Sequence, residues 1–199
     1  VKILIVLAHP DPGSFNHALA AAAAQAAERQ GHAVTLHDLY AERFDPILPA
    51  HEIARDAALP PWLQRHCADL AEADGIVVVH PNWWGQPPAI LAGWIDRVIR
   101  PGVAYEFREG DSGEGVPVGL LRAKTAVVLN TSNTPPERER AAFGDPLDSI
   151  WSRCVFDLCG VKDVRRRTCS VVVTSTAAER RAWLGEAAAL VTDAFPRAS

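Results

Sequence analysis

Five apolar runs of strand length punctuate the chain, at 2–8, 33–38, 75–80, 124–131 and 168–174, each rich in Val, Ile, Leu or Ala. Between them the apolar positions take helical spacing, over 14–30, 61–73, 87–99, 145–159 and 177–194. Ser14 is placed to cap the first of these helices and Gly31 to stop it. Strands that are apolar on both faces and alternate with helices require a parallel sheet covered on each side, because crossovers are right-handed. The pattern therefore predicts an α/β three-layer sandwich around a five-stranded parallel sheet; the order 2-1-3-4-5, with a ligand crevice at the strand carboxyl ends, follows from that class rather than from particular residues. Residues 40–60 carry several prolines and charges and read as a long surface excursion. Residues 100–122 contain the polar loop Gly110-Asp111-Ser112-Gly113-Glu114-Gly115; long loops in compact domains tend to be functional.

Bulk properties narrow the picture further. A chain of 199 residues fits one domain spanning 1–199, and 48% hydrophobic with 22% charged residues is ordinary for a globular enzyme. A net charge of −4 argues against nucleic acid as a partner. The run Arg165-Arg166-Arg167 reads as a solvated edge flanking the last strand. Cys67, Cys154, Cys159 and Cys169 have neither zinc spacing nor a CxxC pair, so no metal is expected. Cys154 and Cys159 fall in an expected helix and read as buried thiols, and reduced cysteines suit a cytoplasmic setting. The apolar runs are too short for membrane insertion, and the N-terminal segment reads as a strand ending at His9-Pro10 rather than a signal peptide.

The ends of the first, third and fourth strands should face one crevice, and each carries unusual chemistry. At the first, His9 is followed by a Pro/Gly turn and by Ser14, Phe15 and Asn16 at a helix start. Unpaired amides and the helix dipole make that start an anion seat, to which Ser14, Asn16 and His9 can add donors. Ser14 acting as a plain cap, with His9 on a nearby carbonyl, is the competing reading. The third end, Pro81-Asn82-Trp83-Trp84-Gly85, makes a rigid aromatic rim suited to a planar partner, or else to packing. The fourth, Thr131-Ser132-Asn133-Thr134, offers amides and hydroxyls for the polar edge of a heteroaromatic ring, or forms an ordinary polar turn. Phosphate seat, aromatic wall and polar edge together point to a flavin. The first strand is not followed by G-x-G-x-x-G, so a dinucleotide fingerprint of that type is not expected.

With these pieces in this order, the chain resembles the NAD(P)H:quinone oxidoreductase (DT-diaphorase-like) family of flavodoxin-like flavoproteins. The likeness also rests on Asp38-Leu39-Tyr40, Phe44-Asp45-Pro46, Glu72-Ala73-Asp74, the stretch from Pro88 to Val98, Ala104-Tyr105, Gly119-Leu120-Leu121 and Cys159-Gly160. The resemblance implies that His9, Ser14, Phe15 and Asn16 hold the phosphate of FMN or FAD, FMN being favoured. Pro81, Asn82, Trp83 and Trp84 would back the ring, and Thr131, Ser132, Asn133 and Thr134 would contact its pyrimidine edge. Tyr105 and Phe107 would close the substrate pocket, often across a homodimer interface. The chain departs from the family at Asn133 and Thr134, where the family has glycines, and at Phe143-Gly144-Asp145, where many members have His-Gly-Asp.

The implied activity is a two-step transfer of hydride from NAD(P)H through the flavin to a quinone-like acceptor, with Trp84, Tyr105 and Phe107 shaping the reacting pocket. The alternatives are an azo- or nitro-reductase of the same fold, a flavin-binding regulatory subunit of a potassium efflux system, and a flavodoxin-type electron carrier.

Overall fold

The computed structural model describes residues 1–107, 115 and 117–197; Gly110 to Glu114 of the polar loop lie outside the described residues. In chain order the elements are β1 (Lys2–Leu7), α1 (Phe15–Arg29), β2 (Ala33–Asp38), α2 (Pro61–Glu72), β3 (Gly75–Pro81) and α3 (Ala89–Val98). They are followed by β4 (Tyr105–Glu106), β5 (Val118–Gly119), β6 (Thr125–Ser132), α4 (Pro136–Arg138), α5 (Pro146–Asp148), β7 (Asp163–Ser170) and α6 (Ala177–Ala194). The five-stranded sheet has the order β2-β1-β3-β6-β7 and is parallel throughout. Counted by sheet strands this is the expected 2-1-3-4-5; β4 and β5 form a separate antiparallel ribbon.

Because side chains alternate along a strand, each central strand feeds two cores. Leu4, Val6, Ile76, Val78, Ala126 and Val128 pack with Leu63 and Leu70 of α2 and Leu91 and Trp94 of α3. Ile3, Ile5, Leu7, Val77, Val79, Val127 and Leu129 pack with Leu19, Ala20, Ala23 and Ala27 of α1 and Ala187 and Val191 of α6. The alanine-rich face of α1 explains its close approach to the sheet, since alanine adds little bulk. The excursion over 40–60 is pinned rather than loose. Buried Arg97 of α3 holds Glu52 through two hydrogen bonds of 2.9 and 2.7 Å. A Cβ on Gly93 would meet the Pro46 carbonyl oxygen at 2.2 Å, so glycine there lets the excursion lie against α3.

Three sequence expectations are corrected. The last strand covers Asp163–Ser170 rather than 168–174, so the arginine run lies inside it. Arg165 pairs with Asp163 at 2.8 Å, Arg167 with Glu186 at 2.6 Å, and Arg166 with Asp145. At a sheet edge the aliphatic stems can cover apolar surface while the guanidinium heads reach carboxylates, and such charges discourage edge-to-edge pairing. The helix expected over 145–159 is a single turn, α5, continued as π-winding over Ser149–Val155. Bonding five residues apart, with the Phe156 amide donating to the Trp151 carbonyl at 3.0 Å, brings Trp151 and Phe156 together, both buried, with ring centroids 5.5 Å apart. That winding leaves Cys154 exposed rather than buried, whereas Cys159 is buried as expected; all four cysteines are free. Among the described residues no helix is long and apolar enough to cross a membrane.

Candidate functional site

The sheet registers bring the carboxyl ends of β1, β3 and β6 side by side: Leu7 is opposite Val79, and Pro81 opposite Thr131. The chain leaves β1 through His9, whose Nδ1 accepts from the Asp11 amide at 3.1 Å. That bond leaves Nε2–H free to donate. Burial pushes the His9 pKa below its ordinary value, so the ring is neutral near pH 7. Asp11 then folds the turn, its side chain accepting from the Gly13 amide at 2.8 Å and its carbonyl from the Ser14 amide at 3.0 Å. Ser14 caps α1 by accepting from the His17 amide at 3.4 Å. Ser14 is thus a cap, as one of the two readings had it, and capping orients the first turn of α1 without excluding an anion there.

At the end of β3, Trp83 and Gln86 exchange backbone hydrogen bonds of 3.2 and 3.0 Å around a tight turn. Its two central residues, Trp84 and Gly85, have φ of +59° and +74°. Glycine adopts that conformation freely, but for a tryptophan it costs roughly 1–3 kcal/mol. The strain holds Trp84 in solvent at 97% exposure. Trp83 lies beside it, 5.9 Å from the His9 ring. Asn82 fixes the turn, accepting from the Gly85 amide at 2.9 Å and donating to Glu139 Oε1 at 3.0 Å.

The end of β6 is tied to both others. Thr131 carbonyl accepts from the Asn82 amide at 2.7 Å, and its hydroxyl lies 3.0 Å from Asn16 Nδ2 of α1. Ser132 forms a turn with the Thr134 amide at 3.0 Å, and Asn133 accepts from the Val173 amide at 2.9 Å. The side-chain oxygens of Ser132 and Asn133 are thus used within the protein. Beneath this edge lies a fully buried polar floor. His80 Nε2 accepts from Trp151 Nε1 and Asn130 Nδ2, each at 2.9 Å, while Nδ1 faces the Pro81 carbonyl at 2.8 Å. Burial lowers the His80 pKa to about 4.

These ends enclose one cavity of about 870 Å³, large for a small-molecule site. It is lined by His9, Ser14, Phe15 and Asn16, by Pro81, Asn82, Trp83 and Trp84, and by Thr131, Ser132, Asn133 and Thr134, so the structure gathers every expected cofactor-contacting residue. Tyr105 and Phe107 are not among its lining residues. They lie at the β4–β5 ribbon, with ring centroids 5.9 Å apart. The sequence reading missed Glu139, Phe143, Pro146, Val172 and Arg180, which also line the cavity. Arg180 is held by Ser175 and the Val172 carbonyl at 2.8 and 3.1 Å, over the Phe15 ring. The departure noted at Phe143 was the signal that could have drawn attention to its helical neighbour Glu139.

A parallel sheet of this order, with its crevice at the switch point, defines a doubly wound α/β protein of the flavodoxin type. A family model described as flavodoxin-like fold matches residues 1–190, and the chain belongs to that family, in its NAD(P)H:quinone oxidoreductase-like branch. It is 34% identical over 168 residues to an uncharacterized NAD(P)H oxidoreductase of Haemophilus influenzae, covering 81% of this chain and 79% of that one. It is 32% identical over 185 residues to the ribosyldihydronicotinamide dehydrogenase [quinone] of Pongo abelii, covering 81% and 78%. Among solved structures, an NAD(P)H:quinone oxidoreductase from Methanothermobacter marburgensis superposes with a TM-score of 0.82 at 26% identity, covering 96% of each chain.

Proposed function

We propose that this chain is an NAD(P)H dehydrogenase (quinone) that binds a flavin, FMN ahead of FAD, and passes two electrons from NAD(P)H to a quinone-like acceptor. The observation carrying this reading is the convergence of an anion seat, an exposed indole pair and a polar loop on one cavity of about 870 Å³. The names of the relatives, NAD(P)H oxidoreductase and quinone dehydrogenases, support it. The residues present fit the cofactor. The first turn of α1 and the His9 Nε2–H supply donors for a phosphate, and Arg180 adds a positive charge near Phe15. When bound, a flavin supplies hydride acceptance and donation at a flat ring.

Around it the protein's own groups bind, orient and shield. Pro81 and Asn82 form the base, Trp83 and Trp84 the flank, and the loop from Thr131 to Thr134 presents amides to the ring edge. Donors at that edge favour negative charge as it builds. Nicotinamide and acceptor use the same face in turn, so the kinetics are ping-pong. The chain works as a homodimer in which Tyr105 and Phe107 of one copy close the cavity of the other, which accounts for their distance from their own cavity. Its free cysteines suit the cytoplasm. Purification under mild conditions should yield a yellow protein bleached by NADH or NADPH and restored by quinone. Chromatography of the released cofactor separates FMN from FAD, and turnover on quinones, azo dyes and nitroarenes identifies the acceptor class.

A further inference from the structure

Among the described residues lining the 870 Å³ cavity, Glu139 is the carboxylic acid; His9 and Arg180 are its other charged or titratable neighbours. Glu139 also lines a second cavity of about 210 Å³, where Arg140, Asp145, Arg166 and Arg167 gather. Two atoms of residues lining that smaller space, Arg166 Nε and Ser170 Oγ, are buried without a hydrogen-bond partner in the protein, Arg166 Nε lying 3.8 Å from Asp148 Oδ1. Polar atoms of this kind are satisfied by water, and a polar space of this size admits several molecules. Glu139 therefore lines both a polar, charged chamber and the reacting pocket.

Its position is fixed. Oε1 accepts from Asn82 Nδ2 at 3.0 Å, and Asn82 in turn holds the Gly85 amide of the tryptophan turn. Glu139 opens the π-wound segment Glu139–Phe143. Phe143, at the other end of that segment and also on the cavity wall, has no proton to give. Reducing a quinone oxygen consumes a proton as well as a hydride, and a site that excludes bulk water needs a fixed group to deliver it.

We propose that Glu139 is the group through which this proton enters, an inference that rests on the oxidoreductase reading above. As the acceptor takes the hydride that originates from NAD(P)H, one solvent proton passes through the Glu139 carboxylate: an O–H bond forms on it, then breaks as an O–H bond forms on the acceptor oxygen. That proton arrives by way of the smaller cavity, and the carboxylate ends as it began. In sum, NAD(P)H, a quinone and one proton become NAD(P)⁺ and a hydroquinone. The charged and titratable groups around this carboxyl are Arg140, Asp145, Arg166 and Arg167 in the smaller cavity and Arg180 and the neutral His9 in the larger.

Glu139→Gln keeps an oxygen for Asn82 and removes the proton. With a quinone as acceptor, wild-type turnover should vary with pH. Glu139→Gln should be about a hundredfold slower with a flatter profile. The midpoint potential of the bound flavin, plotted against pH, should differ in shape between the wild type and Glu139→Gln. Glu137→Gln, exposed and outside both cavities, should keep both wild-type curves. A Glu139→Gln protein that retains flavin but shows the wild-type pH profile and potential curve would overturn the role of Glu139 alone. A wild-type protein that takes up no flavin would overturn this proposal together with the oxidoreductase reading.

Discussion

Two buried histidines sit near the ends of strands in the same sheet, His80 in β3 and His37 in β2. His80 meets an indole N–H, an amide NH₂ and a carbonyl. Two donors share the single lone pair on Nε2 and a carbonyl faces Nδ1, an arrangement that suits the neutral ring, and burial keeps its pKa at about 4. His37 meets Glu42 on one nitrogen and Asp69 on the other, both at 2.9 Å. Burial works against charge there too, but hydrogen bonds and attraction from the two carboxylates outweigh it and raise the pKa above its ordinary value. The Glu42 carboxyl is correspondingly held down to about 2, against its own burial, by His37 and His66. Burial alone does not decide the state of a histidine; the partners on its two nitrogens do.

The contrast extends to what each cluster can hold. Ligand atoms of His37, Glu42 and His66 lie within 4.8 Å of one another, a spacing that could surround a metal ion. Trp94 Nε1–H, however, donates to His66 Nδ1 at 3.2 Å, so His66 turns Nε2 to Glu42, 3.1 Å away. The cluster is built to share protons, and it ties the excursion carrying Glu42 to α2 and α3. The His80 network instead stiffens the floor under the proposed flavin site.

The largest expected effect comes from breaking that floor. His80→Ala removes a buried ring and leaves the Trp151 indole donor unpaired, which should cost roughly 3–5 kcal/mol by urea unfolding near pH 7. In the wild type, the unfolded chain takes up a proton near pH 6.5 while folded His80 resists it until about pH 4. This residue therefore makes stability drain as pH falls through that window, by about 3 kcal/mol. A variant lacking His80 should lose that part of the acid slope.

The second effect runs in the opposite direction with pH. A raised folded pKa means that charged His37 stabilises the fold fully below its unfolded value of 6.5 and loses that contribution as pH climbs through the folded value. His37→Gln should therefore cost about 1–2 kcal/mol near pH 6 and distinctly less near pH 9. Equal losses at both values would show that the ring is not charged in the native protein. The smallest effect on stability is expected at Trp84, which is solvent-exposed and strained. Trp84→Ala should leave unfolding within about 0.5 kcal/mol of wild type. By removing the exposed indole it should nonetheless lower quinone turnover and flavin retention.

Much of this was legible in the chain. Apolar runs alternating with helical spacing pointed to the fold class, whose usual strand order the sheet has, and the polar or aromatic residues that end three of those runs marked the cavity. What escaped had physical reasons. Arginines at 165 to 167 hid the start of β7, because their long stems behave as apolar cover while their heads look solvated. A period of 3.6 cannot reveal π-winding, so the 145–159 segment looked like a regular helix. His80 was hidden in a buried strand, and Glu139 in a charged run that reads as solvent-facing. Both became visible only once the fold supplied their partners.

Anaerobic titration of the purified chain with FMN and with FAD, followed by NADPH or NADH, tests the central claim most directly. The account expects saturable uptake of one flavin per chain, bleaching by the nicotinamide and return of colour with a quinone. A colourless protein that binds neither flavin would contradict it.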